Sequence, residues 1–130
     1  MASISVTRLR LRSIRFFPAF LWHSIRSQNQ AKRAPGNRAM ALRFHKGAFW
    51  TLTVWDTLED TRAYMIAGAH REAMPRLLHW CDEASLAHWQ DTADTLPSWD
   101  EAERRLATEG RLSKVKFPSS AQAEGKTLGS

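Results

Sequence analysis

The sequence predicts an α+β domain of ferredoxin-like order, βαββαβ followed by a C-terminal helix. Three observations carry this prediction. Arg8-Leu9-Arg10-Leu11-Arg12 alternates strictly, with two leucines on one face of a strand and three arginines on the other. Two alternating runs, Asn37 to Lys46 and Ala48 to Trp55, meet at Lys46-Gly47, a hairpin signal. Helical patterns fall between the remaining strands. The run Ala48 to Trp55 also sets a constraint: Trp50, Leu52 and Val54 oppose Phe49, Thr51, Thr53 and Trp55. A strand with large side chains on both faces cannot lie in a sheet that has one wet side.

Ser3 to Arg12 reads as the first strand, with Ile4 and Val6 out of phase with the leucines; either a bulge or burial on both faces accounts for the slip. Ser13 to Arg33 reads as the first helical region, with Pro18 in the opening turn and Ala34-Pro35-Gly36 as its stop. Thr57-Leu58-Glu59-Asp60 resembles a capping box and opens a second helix whose end Gly68 weakens. A further helix spans about His70 to Trp80 and is expected to break or kink at Pro75. Glu83 to Gln90 reads as the fourth strand, with Ala84, Leu86 and His88 opposite Ser85, Ala87 and Trp89. Ser98-Trp99-Asp100-Glu101 caps a final helix over 98–108, and Gly110 stops it. Residues 1–117 thus form one domain. Residues 118–130 lack apolar periodicity and are expected to be a disordered tail.

In this order the helices cover one face of the sheet. The other face is left bearing aromatic and apolar side chains, which a monomer does not tolerate well. A homodimer built through the sheet faces would cover it and leave a cavity between helices and sheet in each subunit, the place for an apolar small molecule.

Composition narrows the function classes. The chain has 130 residues, enough for one domain, with 43% hydrophobic and 25% charged residues, a globular balance. The single cysteine, Cys81, excludes an internal disulfide and a cysteine-based zinc site. The five histidines lack His-Glu-x-x-His spacing, so no non-haem metal site is expected. Net charge is +6, and residues 1–55 hold ten Lys or Arg and no acid. This basic half raises an anionic surface as a partner. Nucleic acid is disfavoured, because no recognisable module accompanies the charge and no Lys/Arg cluster exceeds two. The apolar run Phe16–Trp22 is too short to span a bilayer, and a cytoplasmic protein is the default expectation.

The motifs carry a resemblance. Thr53-Val54-Trp55-Asp56 followed by Gly68-Ala69-His70 within a βαββαβ order is similar to the dimeric α/β-barrel superfamily of antibiotic-biosynthesis and haem-degrading monooxygenases. Phe49 to Trp55, Trp80-Cys81-Asp82-Glu83-Ala84, His88-Trp89 and Leu96-Pro97-Ser98-Trp99 resemble, more closely, spheroidene-monooxygenase-like proteins. The resemblance implies a small monooxygenase acting on an apolar, aromatic or isoprenoid substrate. The chemistry would be either haem-dependent or cofactor-free.

The candidate residues follow. His70 sits after a glycine at a helix break, where an imidazole could face a cavity as a general base or as a ligand to haem iron. Trp55, Trp50 and Phe20 would be cavity walls. His88 could line the same space, and Arg43 with His45 could bind an anionic group. His23 and His79 read as solvent-facing or interfacial. A non-catalytic ligand-binding dimer and a basic-face binder of nucleic acid or membrane surface are the rival classes.

Overall fold

The protein is described by a computed structural model over residues 2–92 and 95–129. Its five-stranded sheet has the order β2-β3-β1-β4-β5, with every neighbouring pair antiparallel. The strands are β1 (Ala2–Leu11), β2 (Asn37–His45), β3 (Ala48–Trp55), β4 (Cys81–Asp91) and the short β5 (Arg111–Leu112). The helices are α1 (Phe17–Arg33), α2 (Leu58–Met65), α3 (Gly68–Trp80), α4 (Trp99–Glu109) and α5 (Ser120–Ala123). The first four strands with α1–α3 and the added α4 give the ferredoxin-like α+β class.

Local chemistry accounts for the boundaries. Lys46 and Gly47 both take positive φ, 50° and 76°, which matches the twist of the flanking strands in a two-residue hairpin. Thr57 caps α2 by accepting from the Asp60 N–H at 3.1 Å, and Ser98 caps α4 by accepting from Glu101 at the same distance. Gly68, at φ 51°, turns the chain between α2 and α3. Here the structure departs from expectation: α3 begins at Gly68 and runs unbroken through Pro75. The Glu72 carbonyl, beside the proline ring, accepts from the Arg76 guanidinium at 2.7 Å.

The slip in β1 resolves as burial on both faces of its first half. Ile4 and Val6 pair across to Val54 and Leu52 in a regular register, and the ladder shifts only at Arg10/Leu11. These even-numbered residues join Trp50, Leu52, Val54, Ala87 and Trp89 in the main core. Ala102 and Leu106 of α4 close it, one helical turn apart and fully buried. The chain's own α4 thus packs on this second sheet face. The outer side of α4 carries a Glu101–Arg105–Glu109 ladder at 2.9 Å per contact. Such pairs contribute a few tenths of a kcal/mol each.

At the far end of the same face Arg8 and Glu83 form a buried ion pair at 2.8 Å, with Arg10 on the second carboxylate oxygen at 3.2 Å. Ser119 donates to that oxygen at 2.7 Å. Burial pushes the Glu83 carboxyl up, but these hydrogen bonds and charges outweigh it and hold it below its ordinary value.

The segment expected to be a disordered tail is folded here against β4. Gln122 is buried and acts as a strand surrogate: its carboxamide accepts from the Ala84 N–H at 3.2 Å and donates to the Ser113 carbonyl at 2.8 Å. Ser85 Oγ donates to the Thr127 carbonyl at 2.6 Å, and Thr127 Oγ1 donates to Leu106 O at 2.9 Å. Docking by polar bonds to a sheet leaves no hydrophobic period, which is why composition misreads this segment. Deleting residues 119–130 is expected to uncover the Glu83 carboxylate and cost about 2–4 kcal/mol. Thermal denaturation of the truncated chain checks this; an unchanged melting temperature would show that the segment holds nothing together.

Candidate functional site

The odd-numbered face of β1 and β3 forms the floor of a cavity of about 370 Å³ beneath α1–α3. Ser5 pairs with Thr53 and Thr7 with Thr51, so the floor is a patch of hydroxyls. The roof is apolar at Phe20 and Leu21 of α1 and Met74, Leu77 and Leu78 of α3, and polar at His23, Ser24, Ser27 and Gln28 of α1. Phe20 leans on Phe49 with ring centroids 4.7 Å apart. This volume lies in the ordinary range for small-molecule sites.

Three aromatic rings form one wall in series. Trp55, 1% exposed, lies against Tyr64 at 5.2 Å, and Tyr64 lies against His70 at 4.7 Å. Tyr64 donates its hydroxyl to the Ser27 carbonyl at 3.1 Å, and burial raises its pKa to about 12, so it stays protonated. The Trp55 indole N–H is buried without a partner. The indole N–H groups of Trp50 and Trp89 in the opposite core share this state.

His70 is held on two sides at the junction between α2 and α3. Its Nδ1 lies 3.1 Å from the Met65 carbonyl, which can only accept, so Nδ1 carries the proton. Its backbone N–H donates to Gln30 Oε1 at 2.8 Å, and Gln30 Nε2 donates to Ala67 O at 2.8 Å and Tyr64 O at 3.2 Å. One side chain on α1 thus clips the whole junction. Nε2 of His70 is left as a free acceptor. Burial lowers the pKa of His70 against the small raising effect of the Met65 bond, so the ring is neutral at pH 7.

His88 also borders the cavity and shares a 2.6 Å hydrogen bond with Ser5 Oγ. Burial lowers its pKa, and the charges of Arg111 and Arg62 act in the same direction. Trp50 and Arg43 border the cavity as well, but their functional groups are engaged on the α4 face. The Trp50 ring meets Trp99 edge-on at 6.5 Å, and the Arg43 guanidinium lies over both indoles. Glu103 takes Arg43 at 3.3 Å and His45 at 3.6 Å, so an acid of the same chain occupies the place expected for an anionic ligand.

Sequence reasoning missed three participants. His23, expected to face solvent or an interface, is buried on the cavity wall, with its pKa lowered by burial and by Arg76 and Arg26. Tyr64 and Gln30 carried no visible motif; only their helical phase toward Trp55 and His70 could have flagged them. Among the described residues no group of His, Cys, Asp and Glu could hold a metal ion, and no helix is long and apolar enough to cross a membrane.

The fold and cavity define a small ferredoxin-like domain with a ligand-sized space between helices and sheet. The chain belongs to the family described as a domain of unknown function (DUF3291), whose model matches residues 15–113. No curated protein matches it in sequence. Solved structures share the fold. SnoaB, a cofactor-independent oxygenase from Streptomyces nogalater, is similar at 17% identity and a TM-score of 0.58, over 75% of this chain and 98% of that one. Rv0793 from Mycobacterium tuberculosis is similar at 7% identity and 0.66, over 73% and 99%. A protein described as an antibiotic biosynthesis monooxygenase gives 9% and 0.62, over 72% and 100%. At these identities the likeness is one of fold. It supports the broader resemblance read from the motifs; the finer one, to spheroidene-monooxygenase-like proteins, gains no support from these matches.

The histidines of the site make stability depend on pH. His23, His70 and His88 all have folded pKa values below the unfolded 6.5. Below that pH the unfolded chain takes up protons that the folded chain resists, so stability should be flat above pH ~7 and fall as pH drops from about 6.5. Melting temperatures between pH 8 and 5.5 check this, and a flat profile would contradict it. Separately, Trp55→Ala should cost about 3–5 kcal/mol if the indole acts only as packing. If the ring is a ligand wall, the measured cost should be smaller and binding of an aromatic probe should be lost first.

Proposed function

We propose that this chain is a small monooxygenase that oxidises an apolar, electron-rich aromatic or isoprenoid-like substrate in the helix–sheet cavity. The observation that carries this reading is the neutral His70 in a largely apolar cavity, its tautomer fixed by Met65 and Nε2 free. A base so placed can take a proton from a carbon flanked by unsaturation. The carbanion then gives its electrons to dioxygen, a carbon–oxygen bond forms, and the resulting hydroperoxide loses water. In balance, one methylene group and one dioxygen become one ketone carbonyl and one water, with all electrons supplied by the substrate. The largely apolar lining of the cavity limits competing water. The cofactor-independent oxygenase of the same fold makes such chemistry reasonable for this architecture.

Haem fits these residues less well. Nε2 of His70 could serve as an axial donor. However, a haem brings two carboxylates, and Arg43, the one Lys or Arg among the described cavity residues, is held on the other face by Glu103. The reaction above therefore uses no haem. A second reading, non-catalytic ligand binding, is favoured by one observation: the bonded groups of His70 already stitch the α2–α3 junction.

Oxygen uptake with an anthrone probe, whose methylene lies between two aromatic rings, separates the two. The expected result is turnover that His70→Ala reduces on the order of 10²-fold, the usual contribution of a general base. Because the base works neutral and its pKa lies below 6.5, kcat/KM should hold its plateau at neutral pH and fall only in acid. Probe binding by fluorescence quenching with no oxygen uptake would overturn the oxygenase reading in favour of the binding one.

A further inference from the structure

We infer that the rim of the cavity is a docking surface for an anionic lipid bilayer, independently of whether the cavity is catalytic. Ile14, Phe17, Leu21, Trp22, Ile25 and Phe44 are all exposed, at 87% for Ile14, 65% for Phe44 and 58% for Trp22. They are contiguous. Ile14, Phe17, Leu21 and Ile25 recur at three- and four-residue spacing along one stripe of α1 and its leading turn. Phe17 and Phe44 both pack on Phe49, with centroids at 6.1 and 4.9 Å, which joins the helix stripe to the β2–β3 hairpin. Leu21, Phe44 and Phe49 also line the cavity, so the patch adjoins it.

The charge around the patch selects the occupant. The guanidinium of Arg15 lies over Phe16 at 4.8 Å and Arg12 sits between Phe16 and Phe117 at 4.6 and 4.4 Å, while Arg26, over Trp22 at 4.7 Å, is paired with Glu72 of α3 at 3.1 Å and adds no net charge. Lys46 is exposed at the hairpin tip beside Phe44. Residues 1–55, which supply the stripe and the hairpin, carry no acid at all. A second copy of the chain seated here by twofold symmetry would set this basic surface against itself. An anionic bilayer complements it: the apolar stripe enters the headgroup boundary, Trp22 sits at the level an amphipathic ring prefers, and the cations meet lipid phosphates. An apolar ligand could then pass from lipid to cavity without crossing water.

The test is co-sedimentation of the full chain with vesicles of phosphatidylcholine and phosphatidylglycerol, with no substrate present. Binding is expected to the mixed vesicles, to weaken from about 0.05 to 0.5 M NaCl, and to be much lower with pure phosphatidylcholine. Ile14→Glu and Trp22→Glu lie outside the cavity on exposed positions and should fold as the parent does by circular dichroism. Each should reduce partitioning on the order of tenfold or more. Absence of binding to the anionic vesicles would overturn the inference, as would undiminished binding by both variants. A parent chain that sediments as a dimer in free solution, with both variants monomeric, would assign the patch to self-association instead. None of these readouts depends on oxygen uptake, so the catalytic reading stands or falls separately.

Discussion

The pairing of β1 with β3 on one side and β4 on the other is the contact on which both layers of the molecule hang. β1 is the central strand, and its alternation sends Ile4 and Val6 toward α4 and Ser5 and Thr7 toward α1–α3. A single ladder thereby carries a dry, closely packed core on one face and a hydroxyl-floored space on the other. A slip of one residue would put hydroxyls into the core and isoleucine into the cavity. Register is accordingly fixed by the side that packs, and the cavity inherits its geometry from that side.

Much of this was legible in the sequence, because it rested on period and on turn chemistry. The hairpin at Lys46-Gly47, the caps at Thr57 and Ser98, and the face assignments of β3 and β4 all follow from local patterns that tertiary contacts reinforce. Features set by long-range polar contacts were not legible. Gln122 docks on Ala84 and Ser113, and Gln30 clips Ala67 and His70; neither glutamine stands out from its neighbours in sequence. The continuity of α3 through Pro75 is likewise not revealed by period alone. For the site, alternation places the Trp55 ring on the cavity face and turns the Trp50 ring toward Trp99, while Trp50 still borders the cavity. Arg43 is not an open anion site because its partner Glu103 lies on a distant helix, out of view of any local pattern.

The centre of the cavity floor is polar although most of the lining is not. The sheet can offer hydroxyls because its backbone groups are already paired in the ladder, so Ser5, Thr7, Thr51 and Thr53 are free to face inward. The helices contribute an apolar stripe, Phe20, Leu21, Met74 and Leu77 among it, and with it the imidazoles of His23 and His70. His70 lies at a seam in the helical layer, where two helices meet, and this is why a neutral imidazole can be both structurally held and chemically open.

The docking of residues 119–129 onto β4 has a consequence for how the chain folds during synthesis. Arg8 leaves the ribosome well before Glu83, and Ser119, which closes over the carboxylate, follows later still. A charge pair that needs all three cannot be sealed until residues past 119 have emerged. Until then one end of the sheet stays wet and open to other strands. Contacts this distant in sequence are slow to form. The order of translation therefore makes this corner late to become native and leaves its strands exposed to mispairing in the meantime.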